Sequence, residues 1–153
     1  MPPANPVKPR VFIDADVLFA GSAGPSQHGA SLIILRMAEI TLVEALTSQQ
    51  VITEVERNLA EKIPAALPAL RLLVSRCLTV VPDPTAADLL PCSGLSNTKD
   101  LPILVAARRE NCAWLVTFNV RHFQPDIPEV NVLRPGEVVM QVRHLLTLLS
   151  SQA

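Results

Sequence analysis

Apolar positions along the chain fall into two rhythms. Short runs, "RVFID" (10–14), "ITLVEA" (40–45), "LTVV" (78–81), "AWLVTFN" (113–119) and "VNVL" (130–133), read as strands. Between them the apolar residues recur at helical spacing. Helices are predicted over 28–39, over 47–63 with positions 51, 52, 55 and 59 on one face, over 66–77, over 97–111, and over 135–151 as a closing amphipathic segment. Residues 85–91 predict a short helical turn, and a Gly/Ser/Pro loop is expected between the first strand and the helix at 28. In 97–111, Leu101, Leu104 and Val105 share a face, and Pro102 is tolerated because it falls in the first turn.

Alternating β and α segments define an α/β protein. A strand as continuously apolar as 113–119 is buried on both faces, which implies a parallel sheet with helices above and below. Ligands of such sheets lie beyond the carboxyl ends of the strands.

Composition narrows the function. The chain has 153 residues, enough for one core, with 49% hydrophobic and 18% charged residues. No apolar stretch reaches the roughly 20 residues of a membrane span. The opening "MPPANPVKPR" carries prolines but no apolar core of a signal peptide, so residues 1–9 are expected to be a flexible tail, 10–153 one domain, and the protein cytoplasmic. Cys77, Cys92 and Cys112, and His28, His122 and His144, are scattered without metal-binding spacing, which argues for reduced, partly buried thiols and against a zinc site. The net charge of -1 creates no global basic field, so a polyanion would depend on local groups such as Arg108, Arg109, Arg121 and Arg134. The few aromatics, four Phe and one Trp, provide no stacking platform in a basic stretch.

Four polar residues are candidates for one rim of the sheet. Asp14 ends the first strand and Asn119 the fourth; Glu54 lies on the helix after the second strand, and Asp100 in the first turn of the helix before the fourth. Each also has a plain structural explanation. Asp100 can serve a helix N-terminus, and Glu54, near Arg57 and Asn58, can be part of a solvated face. Asp14 is harder to dismiss, because aspartate is depleted in strands and here interrupts an apolar run.

The segments carrying these residues resemble PIN-domain ribonucleases. "VFIDADVLFAG" is similar to the family's opening, with Asp16 in its usual Asn place, and "SQQVITEVERNL" to the segment bearing its glutamate. "KDLPILVAARRENCAWLVTFNVRHF" resembles its succession of Lys-Asp, helix, strand and Thr-x-Asn, closest to the VapC-like toxin branch, and "VNVLRPGEVV" its last strand and helix. The resemblance implies a three-layer α/β/α sandwich around a parallel sheet, and a Mg²⁺ or Mn²⁺ site in which Asp14, Glu54 and Asp100 supply carboxylates. Asn119 departs from members that carry a further Asp there.

Grouped carboxylates call for a cation on physical grounds. Two like charges about 5 Å apart at an effective dielectric near 20 repel by roughly 3 kcal/mol, so three cost on the order of 10 kcal/mol, and hard oxygen ligands favour Mg²⁺ or Mn²⁺. Such a cation can polarise a phosphodiester and acidify an attacking water. In the expected mechanism Asp14 and Asp100 ligate the ion, Glu54 ligates through water or orients the nucleophile, Asn119 positions the assembly, and Thr117 bonds Asp14 or the phosphate. Asp16 either joins this site or orders the loop after the strand. The expected activity is endoribonuclease, with an antitoxin protein and a homodimer as partners; the helices at 28–39 and 47–63, with Leu32, Ile33, Leu35 and Met37, are expected to provide apolar surface for both core and partner. Two alternatives stand: a PIN-like RNA-binding or assembly module with weak catalysis, favoured by Asn119, and a haloacid-dehalogenase-like phosphatase, which shares the Asp-x-Asp but wants a Gly-Thr and a late Asp-Asp that are missing here.

Overall fold

A computed structural model of the chain describes residues 8–24, 29–96, 99–123 and 129–151. The proline-rich segment 1–7, His28 and the first two positions of the helix expected from 97 lie outside the described residues. Five strands, β1 (Arg10–Ile13), β2 (Glu44–Ser48), β3 (Leu78–Val81), β4 (Trp114–Val116) and β5 (Asn131–Leu133), form one sheet in the order β3-β2-β1-β4-β5. Every pairing is parallel; Phe12 lies opposite Leu46 on one side and Leu115 on the other. The three-layer α/β/α sandwich is therefore the fold observed.

The chain builds β1, β2 and β3 outward in one direction through α1 (Ala15–Ala23), α2 (Ala30–Glu39), α3 (Gln49–Lys62) and α4 (Leu67–Cys77). It then returns through α5 (Ala86–Leu89) and α6 (Leu101–Arg109) to β4, on the other side of β1. Right-handed crossovers in opposite directions place these two groups of helices on opposite faces. The closing helix α7 (Pro135–Ser151) packs against α2. Strand order reverses between β1 and β4, so a crevice opens beyond their carboxyl ends. Phe12, Ile13, Leu46, Leu115 and Val116 are buried in the central core.

Strand β4 ends at Val116, ahead of Thr117 and Asn119, and α6 begins at Leu101 with Asp100 as its N-cap, both shorter than expected; two further elements differ more deeply. The segment expected to be a loop after β1 is the helix α1. Its Ser22 hydroxyl donates to the Leu18 carbonyl at 2.8 Å, and a Cβ on Gly21 would stand 2.7 Å from Leu35 Cδ1. The small and polar residues that suggest a loop are thus what lets α1 lie close against α2. The second strand runs over 44–48 instead of 40–45. Thr41, at φ 66, closes α2 in the left-handed conformation, with the Leu42 N–H donating to the Met37 carbonyl at 2.9 Å. Polar Thr47 stays in the strand because its buried hydroxyl donates to the Ile13 carbonyl at 2.8 Å.

The three cysteines are free and buried, and burial pushes the Cys112 thiol up to about 12, which leaves it unreactive at neutral pH. Among the described residues no helix is long and apolar enough to cross a membrane.

Candidate active site

Asp14 stands at the crevice because the sheet puts it there. Its N–H donates to the Val116 carbonyl at 3.0 Å, extending the β1–β4 pairing by one residue, and its side chain then caps α1 by accepting from the Ala15 N–H at 2.7 Å. The other carboxylate oxygen accepts from the Thr117 hydroxyl at 2.8 Å. Only 7% of Asp14 is exposed. Burial, and next the neighbouring charge of Asp16, push its pKa from 3.8 up to about 7 against the opposing effect of these hydrogen bonds.

Asp16 occupies the first turn of α1, not a loop, and reaches across to the segment after β4. Its Oδ2 accepts from the Phe118 N–H at 3.0 Å and from Asn119 Nδ2 at 3.2 Å, and lies 3.3 Å from Thr117 Oγ1. One hydroxyl proton cannot serve two acceptors, and the shorter contact assigns it to Asp14. Thr117 Oγ1 itself accepts from the Asn119 N–H at 3.0 Å. Burial raises the Asp16 pKa despite its donors. Its Oδ1 is buried and has no hydrogen-bond partner among the described residues.

Glu54 and Asp100 approach from the two helix layers. Glu54 sits on α3 with Lys99 Nζ 3.7 Å from its Oε1. Asp100 is the N-cap residue of α6, yet its side chain makes no capping bond there; it is buried, with His122 Nδ1 at 3.4 Å from Oδ2. A single cavity of about 150 Å³ is lined by Asp14, Asp16, Glu54 and Asp100 together with Lys99, Asn119 and His122. The four residues expected at one rim are therefore brought together, with Thr117 behind them.

The donor set fits a hard cation. Among the described residues no three His, Cys, Asp or Glu side chains stand close enough to hold an ion at once. Mg²⁺ does not require that, since it retains several waters and is held by one or two carboxylates. An orphaned Asp16 oxygen beside a buried Asp14 that resists ionisation is an arrangement that positive charge relieves.

Sequence reasoning missed Lys99 and His122, whose place at the acids depends on how the start of α6 and the turn at 120–123 fold against the cavity. The arginines singled out for a polyanion are largely engaged elsewhere: Arg108 pairs with Glu129, Arg134 with Glu137, and Arg109 donates to the Pro82 carbonyl. Of the apolar residues expected to serve a core and a partner, two belong to the core. Leu35 and Met37 are buried, and Leu32 lines a second cavity of about 790 Å³, with Phe19, Phe118 and Pro135, beside the acids. Exposed large apolar side chains include Met140, Leu145, Leu146, Leu148 and Leu149 of α7, besides Ile40, Leu72, Leu90 and Phe118 elsewhere.

Comparison with known proteins agrees with this geometry. A family model described as PIN domain matches residues 10–121. No curated protein matches in sequence. Among solved structures, a chain of the VapBC2 complex from Rickettsia felis, crystallised with a DNA fragment from the VapBC2 promoter, superposes with a TM-score of 0.59 at 18% identity, covering 82% of this chain and 98% of that one. VapC20 from Mycobacterium tuberculosis, a toxin that cleaves the sarcin-ricin loop, superposes with a TM-score of 0.55 at 19% identity, covering 79% and 98%. At these identities the likeness to the two structures is one of fold.

Proposed function

This chain belongs to the PIN domain family, and from that premise we propose that it is an endoribonuclease dependent on Mg²⁺ or Mn²⁺. The observation that carries the reading is the convergence of Asp14, Asp16, Glu54 and Asp100 on one cavity at the strand-order reversal, where burial holds the Asp14 carboxyl above its ordinary range and an Asp16 oxygen has no donor among the described residues. A structural cluster would gain nothing from such repulsion.

Asp14 and Asp100 would hold the ion directly, with Glu54 acting through water or orienting the attacking water. When bound, the cation supplies Lewis-acid chemistry to the scissile phosphodiester and to that water. Thr117 fixes the Asp14 carboxylate, and Asp16 and Asn119 hold each other at the cavity wall. Cleavage should need Mg²⁺ or Mn²⁺ and leave a 5′-phosphate and a 3′-hydroxyl. Asp100→Asn should remove most activity with the fold intact. Full activity in excess EDTA, or 2′,3′-cyclic ends, would overturn the proposal.

We extend the reading to a toxin restrained by an antitoxin. The acids offer pairing to an inhibitor's Arg or Lys, and the 790 Å³ cavity beside Asn119 offers apolar walls. Self-association would use the exposed apolar side of α7, which light scattering measures. Expression of the chain alone should arrest growth, and Asp14→Ala should abolish the arrest. Arrest that persists in Asp14→Ala would mean that the harm is not nucleolytic, and RNA binding without cleavage under any metal would favour the non-catalytic module.

A further inference from the structure

The acid cavity has two dissimilar neighbours. On the Asn119 side lies the apolar cavity of Phe118; on the other lies a polar groove of about 360 Å³, lined by Gln50, Thr53, Glu54, Arg57, Asp83 and Lys99. Glu54 and Lys99 line both the groove and the acid cavity, so the two are continuous.

The sequence of α3 builds this groove. Gln50, Thr53, Glu54 and Arg57 follow the i, i+3, i+4, i+7 spacing of one helix face, while Val51, Val55 and Leu59 are buried. The acidic residue of the centre is therefore one member of a polar stripe that runs on for another turn and ends in an arginine. Arg57 is exposed and forms no hydrogen bond or ion pair among the described residues. Lys99 has a side chain 75% exposed and meets Glu54 only at 3.7 Å. The groove's other carboxylate, Asp83, is turned to the start of α3, where its Oδ1 accepts from the Gln50 N–H at 2.8 Å.

We propose that Arg57 and Lys99 form a phosphate-binding track that seats the RNA backbone next to the scissile phosphodiester, an inference that rests on the nuclease reading above. A strand entering a cavity of four carboxylates is repelled by each, so its neighbouring phosphates need cations within reach. The apolar cavity cannot take a charged backbone without desolvating it, whereas the polar groove offers two cations and two neutral donors. Glu54 and Arg57 are separated by roughly 4.5 Å along the helix axis, a step short enough for adjacent parts of one strand. The track binds charge and not sequence, since none of these side chains is aromatic.

The test is anisotropy of a labelled unstructured RNA of about 12 nucleotides, titrated with the Asp100→Asn chain in Mg²⁺ so that the strand stays intact. Arg57→Gln and Lys99→Gln should each weaken binding about two- to fivefold and lower the slope of log affinity against log salt by about 0.7. Arg57→Lys should recover much of the affinity, and Arg143→Gln, on α7, should change nothing. Unchanged affinity and slope in both track variants, or an equal loss in Arg143→Gln, would overturn the track. Cleavage by the otherwise native chain is measured alongside. If it fails while the two variants still lose affinity, the nuclease reading falls and the track stands; if it proceeds while neither variant loses affinity, the track falls alone.

Discussion

The Thr117 hydroxyl donates to Asp14 Oδ2 at 2.8 Å, joining the ends of β4 and β1 across 103 residues of sequence. That bond lowers the pKa of a carboxylate that burial and Asp16 raise. Thr117→Val keeps the shape and deletes the donor. It should cost about 1–3 kcal/mol of stability and move Asp14 ionisation above its present value of about 7. The measurement is the acid limb of cleavage against pH, which should shift alkaline in Thr117→Val and return in Thr117→Ser. A limb that does not move would mean that Asp14 is held by the Ala15 N–H alone.

Asp14 also makes stability depend on pH. Its pKa rises from 3.8 to about 7 on folding, so the native state binds its proton more tightly than the unfolded state. Stability from this group is fully present below pH 3.8 and lost as pH rises through about 7, on the order of 4 kcal/mol across that window. In EDTA, urea unfolding should therefore show Asp14→Asn gaining on the native sequence between pH 4 and pH 8. Added Mg²⁺ should close the gap at pH 8. A difference that stays flat over this range contradicts the raised pKa.

Asp16 separates a structural role from a metal role. Its Oδ2 ties Phe118 and Asn119, while its Oδ1 has no partner among the described residues. Asp16→Asn retains an acceptor for the Phe118 N–H and should leave the fold intact, but weaken Mg²⁺ about ten- to a hundredfold. Asp16→Ala should in addition lose about 1–3 kcal/mol of stability. Calorimetric Mg²⁺ titration decides: an Asn variant that binds as tightly as the native chain would leave Asp16 as a loop tie only.

What was legible in the sequence followed local period. Strand β3 matches residue for residue, β1 and β5 lie within their expected ranges, and α7 covers its whole predicted span, because apolar runs or a sustained helical rhythm mark them. Helix α1 was hidden because Val17, Leu18 and Phe19 are consecutive and Gly21 and Ser22 imitate a loop, although each has a packing partner. The β2 shift came from Ile40 and Leu42, apolar residues that flank Thr41 where the chain closes α2. The segments pointed to Asp14, Glu54, Asp100, Asn119 and Thr117, and the fold gathers the first four on one cavity. Their distances, and the positions of Lys99, His122 and Arg57 near them, arise only when both helix layers meet the sheet edge.

Asn119 offers the sharpest test of the site's electrostatics. Its amide donates to Asp16 Oδ2 at 3.2 Å, so the residue both neutralises that edge of the cavity and ties it. Asn119→Asp removes the donor and places a second carboxylate against Asp16. Without metal the variant should be less stable by about 1–3 kcal/mol, discounted from the full Coulomb repulsion because Asn119 is exposed to solvent. A cation reverses the sign, since the added charge then attracts it. Mg²⁺ should bind about tenfold more tightly, an affinity step of 1.4 kcal/mol, and thermal denaturation should show a larger Mg²⁺-induced rise than in the native chain. Cleavage should improve most where Mg²⁺ is limiting and little where it saturates, because the change acts on occupancy and not on the chemical step. If the loss of stability persists unchanged in saturating Mg²⁺, the new carboxylate does not face the ion, and Asn119 serves only to tie the loop after β4 to Asp16.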